Sequence, residues 1–322
     1  MKRKKNVKVH WGNLFLLLVV ILVFIFGGLY LFNKLNNNDN GVNNGTNKVN
    51  EKADVKKLTK LGYSKSDAET LLNNLDKSTI DKIDKKYDNL VEYSKVKYFH
   101  IENIDRYDSY KDKNSSMSIS EVIMNVNISL DKEFYSDIKT VKDPDDTLVL
   151  VNKYYGLPSG IEPKNLVDIE GQKMESVAAD AMKKMISDLR STGLDIILQS
   201  GYRSEETQSI IYNRNVTNRG KERADKYSAR PNHSEHQTGL AMDLSTDGTL
   251  EETFENTKQF AWLQENAHKY GFIMRYPKDK VYMTGYGYEP WHYRYVGVEI
   301  ATLIKNEGIT FEEYYVKYKG LY

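Results

Sequence analysis

The 322-residue chain contains no cysteine and carries almost no net charge, with 46 Lys plus Arg against 45 Asp plus Glu. Without thiols there can be no disulfide, no thiolate zinc site, no iron–sulfur cluster and no cysteine nucleophile. A lipid anchor on an N-terminal cysteine is excluded as well. A net charge of +1 points to no nucleic-acid partner. That neutrality is a sum of unlike parts: residues 1–49 hold 7 basic residues and 1 acidic, leaving 39 and 44 for the rest. The length allows about two domains of roughly 100 to 200 residues, each with a core of its own.

What is present begins with a basic tail, Lys2, Arg3, Lys4, Lys5 and Lys8, followed from Leu14 to Phe32 by a run that is wholly apolar, Gly or Tyr. At ~1.5 Å rise per residue such a run spans about 28 Å, close to the hydrocarbon thickness of a bilayer. A cleavable signal peptide is the rival reading, but its apolar stretch is typically ~7–15 residues and ends in an A-x-A site, which is absent here. The sequence therefore predicts a cytoplasmic tail over 1–12 and a single membrane-spanning helix over 13–32, with everything after it outside the cell membrane under the positive-inside rule. Residues 33–49, rich in Asn and Gly, read as a flexible tether.

Residues 50–145 read as a helical stalk. Ser66 is the expected N-cap of a helix whose stripe is Leu71, Leu72 and Leu75, and the spacing of Ile80, Ile83, Tyr87, Leu90 and Val91 predicts a second helix over 78–93. Ser129-Leu-Asp-Lys132 and Ser136-Asp-Ile-Lys139 match the S-x-x-K motif of serine-type penicillin-binding enzymes, but its K-T-G and S-D-N partners are missing. From 146 to 322 the texture changes. A helix over 174–191 burying Val177, Ala178, Ala181, Met182, Met185 and Leu189 is followed by a strand near 194–198 and by a helix capped by Ser204. Further on come a strand over 241–245, a helix over 257–270 and a last helix over 295–306. Strands and helices mix without a βαβ rhythm, so the fold class is α+β.

Three of the six histidines, His10, His100 and His268, fall in the tail, the stalk and a helix. The others lie in two dense segments. Ser234-Glu-His236-Gln-Thr-Gly239-Leu-Ala241-Met-Asp243 sets a His and an Asp seven apart around a Gly that permits a tight turn before a strand. On that strand Ala241 and Asp243 face one side. Glu289-Pro-Trp-His292 adds a carboxylate three residues before another His. Two His and one Asp suit Zn²⁺ with a fourth position left to water, and an unbound Glu suits a general base. Packed histidines of a loop or core would give the same letters, since His-x6-Asp is not a signature of the common metalloproteases and no H-E-x-x-H occurs.

These segments, with Tyr202-Arg203-Ser204, Gln208 and Ala229 through Asp243, resemble the zinc D-alanyl-D-alanine metallopeptidases, the group with VanX, VanY and the hedgehog-like fold, and in particular the VanY-type branch. The resemblance covers about 148–320. It departs at Asn232, where a Gly is usual before His233, and at Tyr293, where the aromatic is often Trp. It implies a small antiparallel sheet with flanking helices and a zinc carboxypeptidase domain over 146–322. One Zn²⁺ would be held by His236, Asp243 and His292, with Glu289 as catalytic base and Arg203 stabilising the oxyanion. Gln208, Ser234, Tyr286 and Tyr288 are candidate groove residues, with packing or hydrogen bonding behind the site as the other reading. The implied reaction is removal of the C-terminal D-Ala from peptidoglycan stem peptides in a bacterial cell wall. An L,D-carboxypeptidase, an endopeptidase, or an inactive wall-binding ectodomain stand as alternatives.

Overall fold

The computed structural model describes residues 46–321. The expected membrane-spanning helix lies outside the described residues, among which no helix is long and apolar enough to cross a membrane. By their contacts the described residues fall into two compact units that divide between Lys86 and Tyr87. Residues 87–145 belong to the same unit as the residues that follow them.

In the first unit three helices, Thr46–Lys60, Lys65–Asn74 and Lys77–Lys82, bury Leu58, Tyr63, Ala68, Leu71, Ile80 and Ile83. The second helix starts earlier than the sequence suggested. Ser64, not Ser66, is its cap, because the Ser64 side chain accepts from the Asp67 amide and so satisfies a donor of the first turn. The helix expected over 78–93 is two short ones, Lys77–Lys82 and Leu90–Tyr93. The polar run Asp84-Lys-Lys-Tyr-Asp-Asn89 between them has too little apolar surface to hold the helix together.

The second unit contains eight short strands: β1 (Lys139–Thr140), β2 (Tyr155–Gly156), β3 (Leu166–Ile169), β4 (Gln172–Glu175), β5 (Ile197–Ser200), β6 (Ala241–Ser245), β7 (Phe272–Tyr276) and β8 (Glu289–Tyr295). β1 and β2 pair parallel, β3 and β4 form an antiparallel ribbon, and the other four make an antiparallel sheet in the order β5-β6-β8-β7. Alternation along β6 and β8 sorts the side chains. Met242, Leu244 and Tyr293 join the main core with Met182, Met185, Ile186 and Leu189 of helix Ser176–Ser191. That helix turns Ala179 and Ile186 inward, and Val177, expected inside, is 44% exposed because it lies one position off the stripe through Ala178, Met182, Met185 and Leu189. The residues between, Asp243, His292 and Arg294, stand on the opposite face of the sheet. A second core of Leu150, Ile273, Val296, Ala301, Ile304, Phe311 and Tyr314 gathers helix Val298–Glu307 and the turn after it. Tyr295, expected in that last helix, is the final residue of β8.

Candidate metal centre and substrate cleft

Asp243 and His292 are direct partners across β6 and β8, so their side chains stand together on the open face. His236 arrives from the 3-10 turn Glu235–Thr238, which feeds into β6 through Gly239. Gly239 has φ 68° and donates to the His236 carbonyl at 3.2 Å. A Cβ there would meet Leu166 Cδ2 at 2.9 Å and the Glu175 nitrogen at 3.0 Å, so both backbone angle and space require glycine. Asn232 also holds a left-handed backbone, φ 67°, a conformation that Asn tolerates and that suits the Gly the resemblance leads one to expect there. Its side-chain Nδ2 donates to Glu205 at 2.8 Å and its side-chain Oδ1 accepts from Gln237 at 3.0 Å.

The three side chains are buried, and one ligand atom from each lies within 4.8 Å of the others. His236 Nε2 is 3.3 Å from Asp243 Oδ2, and His292 Nδ1 is 3.0 Å from Asp243 Oδ1. The outer ring nitrogens are engaged: His236 Nδ1 lies 2.8 Å from the Gly201 carbonyl, and His292 Nε2 lies 3.3 Å from Glu235 Oε2. Both outer partners can only accept, so each ring keeps a hydrogen on the outside, and once its inner nitrogen is deprotonated it turns a lone pair inward. Two imidazole lone pairs and a carboxylate then converge, an arrangement that repels itself unless a cation sits at its centre. The donor set therefore fits a divalent metal, and two His with one carboxylate suit zinc.

The two rings titrate differently. Burial and the Arg203 charge push His236 down to about 4, keeping it neutral. Burial would lower His292 too, but hydrogen bonds to Asp243 and Glu235 outweigh it and raise the ring to about 9. A proton between His292 and Asp243 occupies the place a metal would take.

Beside the triad, Glu289 Oε2 is 3.8 Å from His292 Nδ1. Residues three apart on a regular strand face opposite sides. Here Met274 pairs with Tyr293 and Tyr276 with Glu289, so two residues of β7 span four of β8, and the irregularity returns Glu289 to the face of His292. Burial pushes its carboxyl up to about 7, with the Asp243 charge adding and His292 and Arg203 opposing. Arg203 is tied by its amide to the His236 carbonyl at 3.2 Å and places Nη2 3.8 Å from Asp243 Oδ2, while its buried Nε has no partner.

Behind the triad lies a buried charge network that the spacing of motifs did not reveal. Glu235 Oε1 accepts from Arg275 Nε at 2.8 Å and Arg294 Nη1 at 3.1 Å. Arg275 also grips Glu312 with both terminal nitrogens, at 2.8 and 2.6 Å. Burial alone would raise the Glu235 carboxyl, yet the two guanidinium groups hold it well below the ordinary carboxylate range. Its position next to His236 was the one available hint. Glu312, seventy-seven positions after Glu235, gave none.

The triad sits in a cleft of about 720 Å³ that Arg203, Gln208, Ser234, Tyr286, Glu289 and Trp291 help to line. Gln208 is 1% exposed, donates to the Ala229 carbonyl at 2.7 Å and leaves Oε1 without a partner. Tyr286 packs at 4.9 Å against Tyr276 with the rings tilted by 46°, and the Tyr276 ring lies 4.9 Å from that of His292. Tyr288 is not among the cleft residues: its hydroxyl bonds Glu255, and Lys278 lies 5.3 Å from its ring. His233 is a packed histidine, with Nδ1 2.7 Å from the Asn152 carbonyl.

A sheet and helices carrying two imidazoles, a carboxylate, a raised carboxyl and an arginine at the end of a cleft make this a metal-dependent peptidase. The chain belongs to the VanY family of D-alanyl-D-alanine carboxypeptidases, whose sequence profile matches residues 171–298. It is 42% identical over 216 residues to the carboxypeptidase-named YodJ of Bacillus subtilis (strain 168), covering 61% of this chain and 79% of that one. It is 35% identical over 190 residues to a D-alanyl-D-alanine carboxypeptidase of Enterococcus faecalis (strain ATCC 700802 / V583), covering 55% and 70%. Among solved structures it resembles the LdcB LD-carboxypeptidase, at 41% identity and a TM-score of 0.53, over 57% of this chain and 92% of that one.

Proposed function

We infer that the protein is a zinc-dependent D-alanyl-D-alanine carboxypeptidase that removes the terminal D-Ala from peptidoglycan stem peptides. The observation that carries this reading is the convergence of three inward lone-pair groups at His236, Asp243 and His292, beside Glu289, at the end of a peptide-sized cleft. Bound there, Zn²⁺ would acidify a water and polarise the scissile carbonyl. Glu289, buried and with a pKa near neutrality, takes the proton of the attacking water and returns it to the departing amine. Arg203 offers a permanent charge and an unpartnered Nε to the oxygen that gains negative charge. Gln208 presents its free carbonyl oxygen to a peptide N–H, while Ser234 and Tyr286 shape the wall. No residue of the site acts as a nucleophile, so β-lactams should not acylate the protein.

The likeness to LdcB supports a second reading, hydrolysis of the bond to a single terminal D-Ala. Mass spectrometry of products from muropeptides ending in D-Ala-D-Ala or in one D-Ala separates the two. Turnover of only the latter would replace the first reading by the second, and no loss of alanine from either would end both. The apolar run over 14–32 supports a location at the bacterial cell membrane, with the catalytic unit outside and wall peptides within reach of its tether. Partition of the full chain into the membrane fraction, with protease access from outside, tests that placement.

A further inference from the structure

A second cavity, of about 280 Å³, shares no lining residue with the metal cleft. Helix Lys258–Asn266, strand β7 and helix Val298–Glu307 give it an apolar wall through Leu263, Phe272, Ala301 and Ile304. Lys305 and Gly308, both exposed, also line it, so it opens to solvent. Tyr293 reaches it from β8. The residue is 1% exposed, yet its hydroxyl makes no hydrogen bond among the described residues, and Gln264 beside it gives its amide to the Met274 sulfur at 3.3 Å. His268, on the same wall, likewise leaves a buried Nδ1 without a partner. Roughly nine in ten or more of such buried groups are bonded, so two unbonded ones lining one cavity mark where the polar part of a ligand belongs.

Their chemistry limits what fits. A phenol hydroxyl both donates and accepts, while an imidazole nitrogen does one or the other according to its tautomer. A ligand hydroxyl answers either. The rest of the wall asks for an apolar body, since water there would gain no hydrogen bonds. The volume is about twice the ~150 Å³ that takes a benzene ring, enough for two fused rings. We propose that this cavity binds a small neutral apolar molecule of about that size carrying one hydroxyl, held by the hydroxyl of Tyr293. Tyr293 follows the metal ligand His292 on β8 and faces the core side of the sheet, so the site lies behind the metal centre and apart from its cleft.

The test uses the full-length, zinc-loaded chain with ¹³C-labelled methionine methyl groups and two probes of one shape, 2-naphthol and 2-methylnaphthalene. Both should move the Met274 methyl resonance, identified by its loss in Met274→Leu, and leave that of Met124, which belongs to a separate core, in place. Tyr293→Phe keeps the ring and removes an atom that bonds nothing in the structure, so the fold should hold. It should weaken naphthol about 2- to 10-fold, the worth of one neutral hydrogen bond, and leave methylnaphthalene nearly unchanged. Ala301→Leu, which fills the cavity from its wall, should abolish binding of both probes. A Met274 signal that neither probe moves overturns the site. So does a naphthol affinity that is unchanged in the Phe variant, or one that falls there no more than the affinity for methylnaphthalene.

Discussion

Glu235 and His292 meet at 3.3 Å, Oε2 against Nε2, on the side of the imidazole that faces away from Asp243. The contact fixes which nitrogen of His292 carries the hydrogen and thereby turns Nδ1 toward the centre. Glu235 can serve in this way because Arg275 and Arg294 keep it ionised in a site where burial would otherwise neutralise it.

Glu235→Gln should therefore weaken zinc binding by about 10- to 100-fold. Competition against a chromophoric chelator reads the affinity directly. The melting temperature should also fall, since two buried arginines lose a shared counter-charge. An unchanged zinc affinity would show that the ring is oriented without the carboxylate.

Glu289→Ala should lower kcat by about 10²- to 10⁴-fold while zinc stays bound at one per chain. Metal content of the purified variant and its turnover of a D-Ala-D-Ala peptide check the two halves. Substantial residual activity would move the base elsewhere.

The acid limb of the pH profile offers a signed test. Glu289 works ionised, so kcat/KM should rise with pH through its pKa, which burial lifts from 4.5 to about 7. The Arg203 charge pulls that value down, so Arg203→Gln should move the limb to higher pH. The same variant should lose about 10²- to 10³-fold in kcat, as when an oxyanion donor is removed. A limb that stays put or moves down would break the link between these two residues.

Stripping the metal should abolish hydrolysis and lower the melting temperature, because zinc binds where only the folded sheet brings His236, Asp243 and His292 together. Zinc at a hundred times its dissociation constant should restore about 2.7 kcal/mol. Thermal scans with and without chelator read this difference, and activity that survives complete zinc removal would exclude the metal mechanism.

Gly239→Ala should cost more than about 1 kcal/mol, since a side chain is strained at φ 68° and strikes Leu166 and Glu175. Denaturant unfolding measures it. Asn232→Gly, at a residue with a similar backbone angle, should cost less through the backbone alone, and its remaining effect reports the lost bonds to Glu205 and Gln237.

Much of the centre was legible because its chemistry is written in short segments. His236, Gly239 and Asp243 fall within eight residues, and Glu289 and His292 within four, so residue type and local turn geometry were enough to propose them together. What stayed hidden depends on tertiary packing. The Glu312 contribution comes through Arg275, and no local pattern joins those positions. Tyr288 reads like Tyr286 in sequence, yet only Tyr286 turns into the cleft, a choice made by the bonding of Tyr288 to Glu255. Helix limits failed where several caps competed, as at Ser64 and Ser66.

The pairing of Asp243 with His292 joins positions 49 residues apart, which bears on how the metal is acquired. Of the three ligands only His236 and Asp243 lie near one another in an unfolded chain, a weak two-point hold, and the third arrives only when β6 and β8 zip together after a long loop closes. Loading then follows folding. Added zinc should slow unfolding of the finished protein while leaving its refolding rate nearly unchanged, so the ion acts as a lock on the native sheet and not as a seed for it.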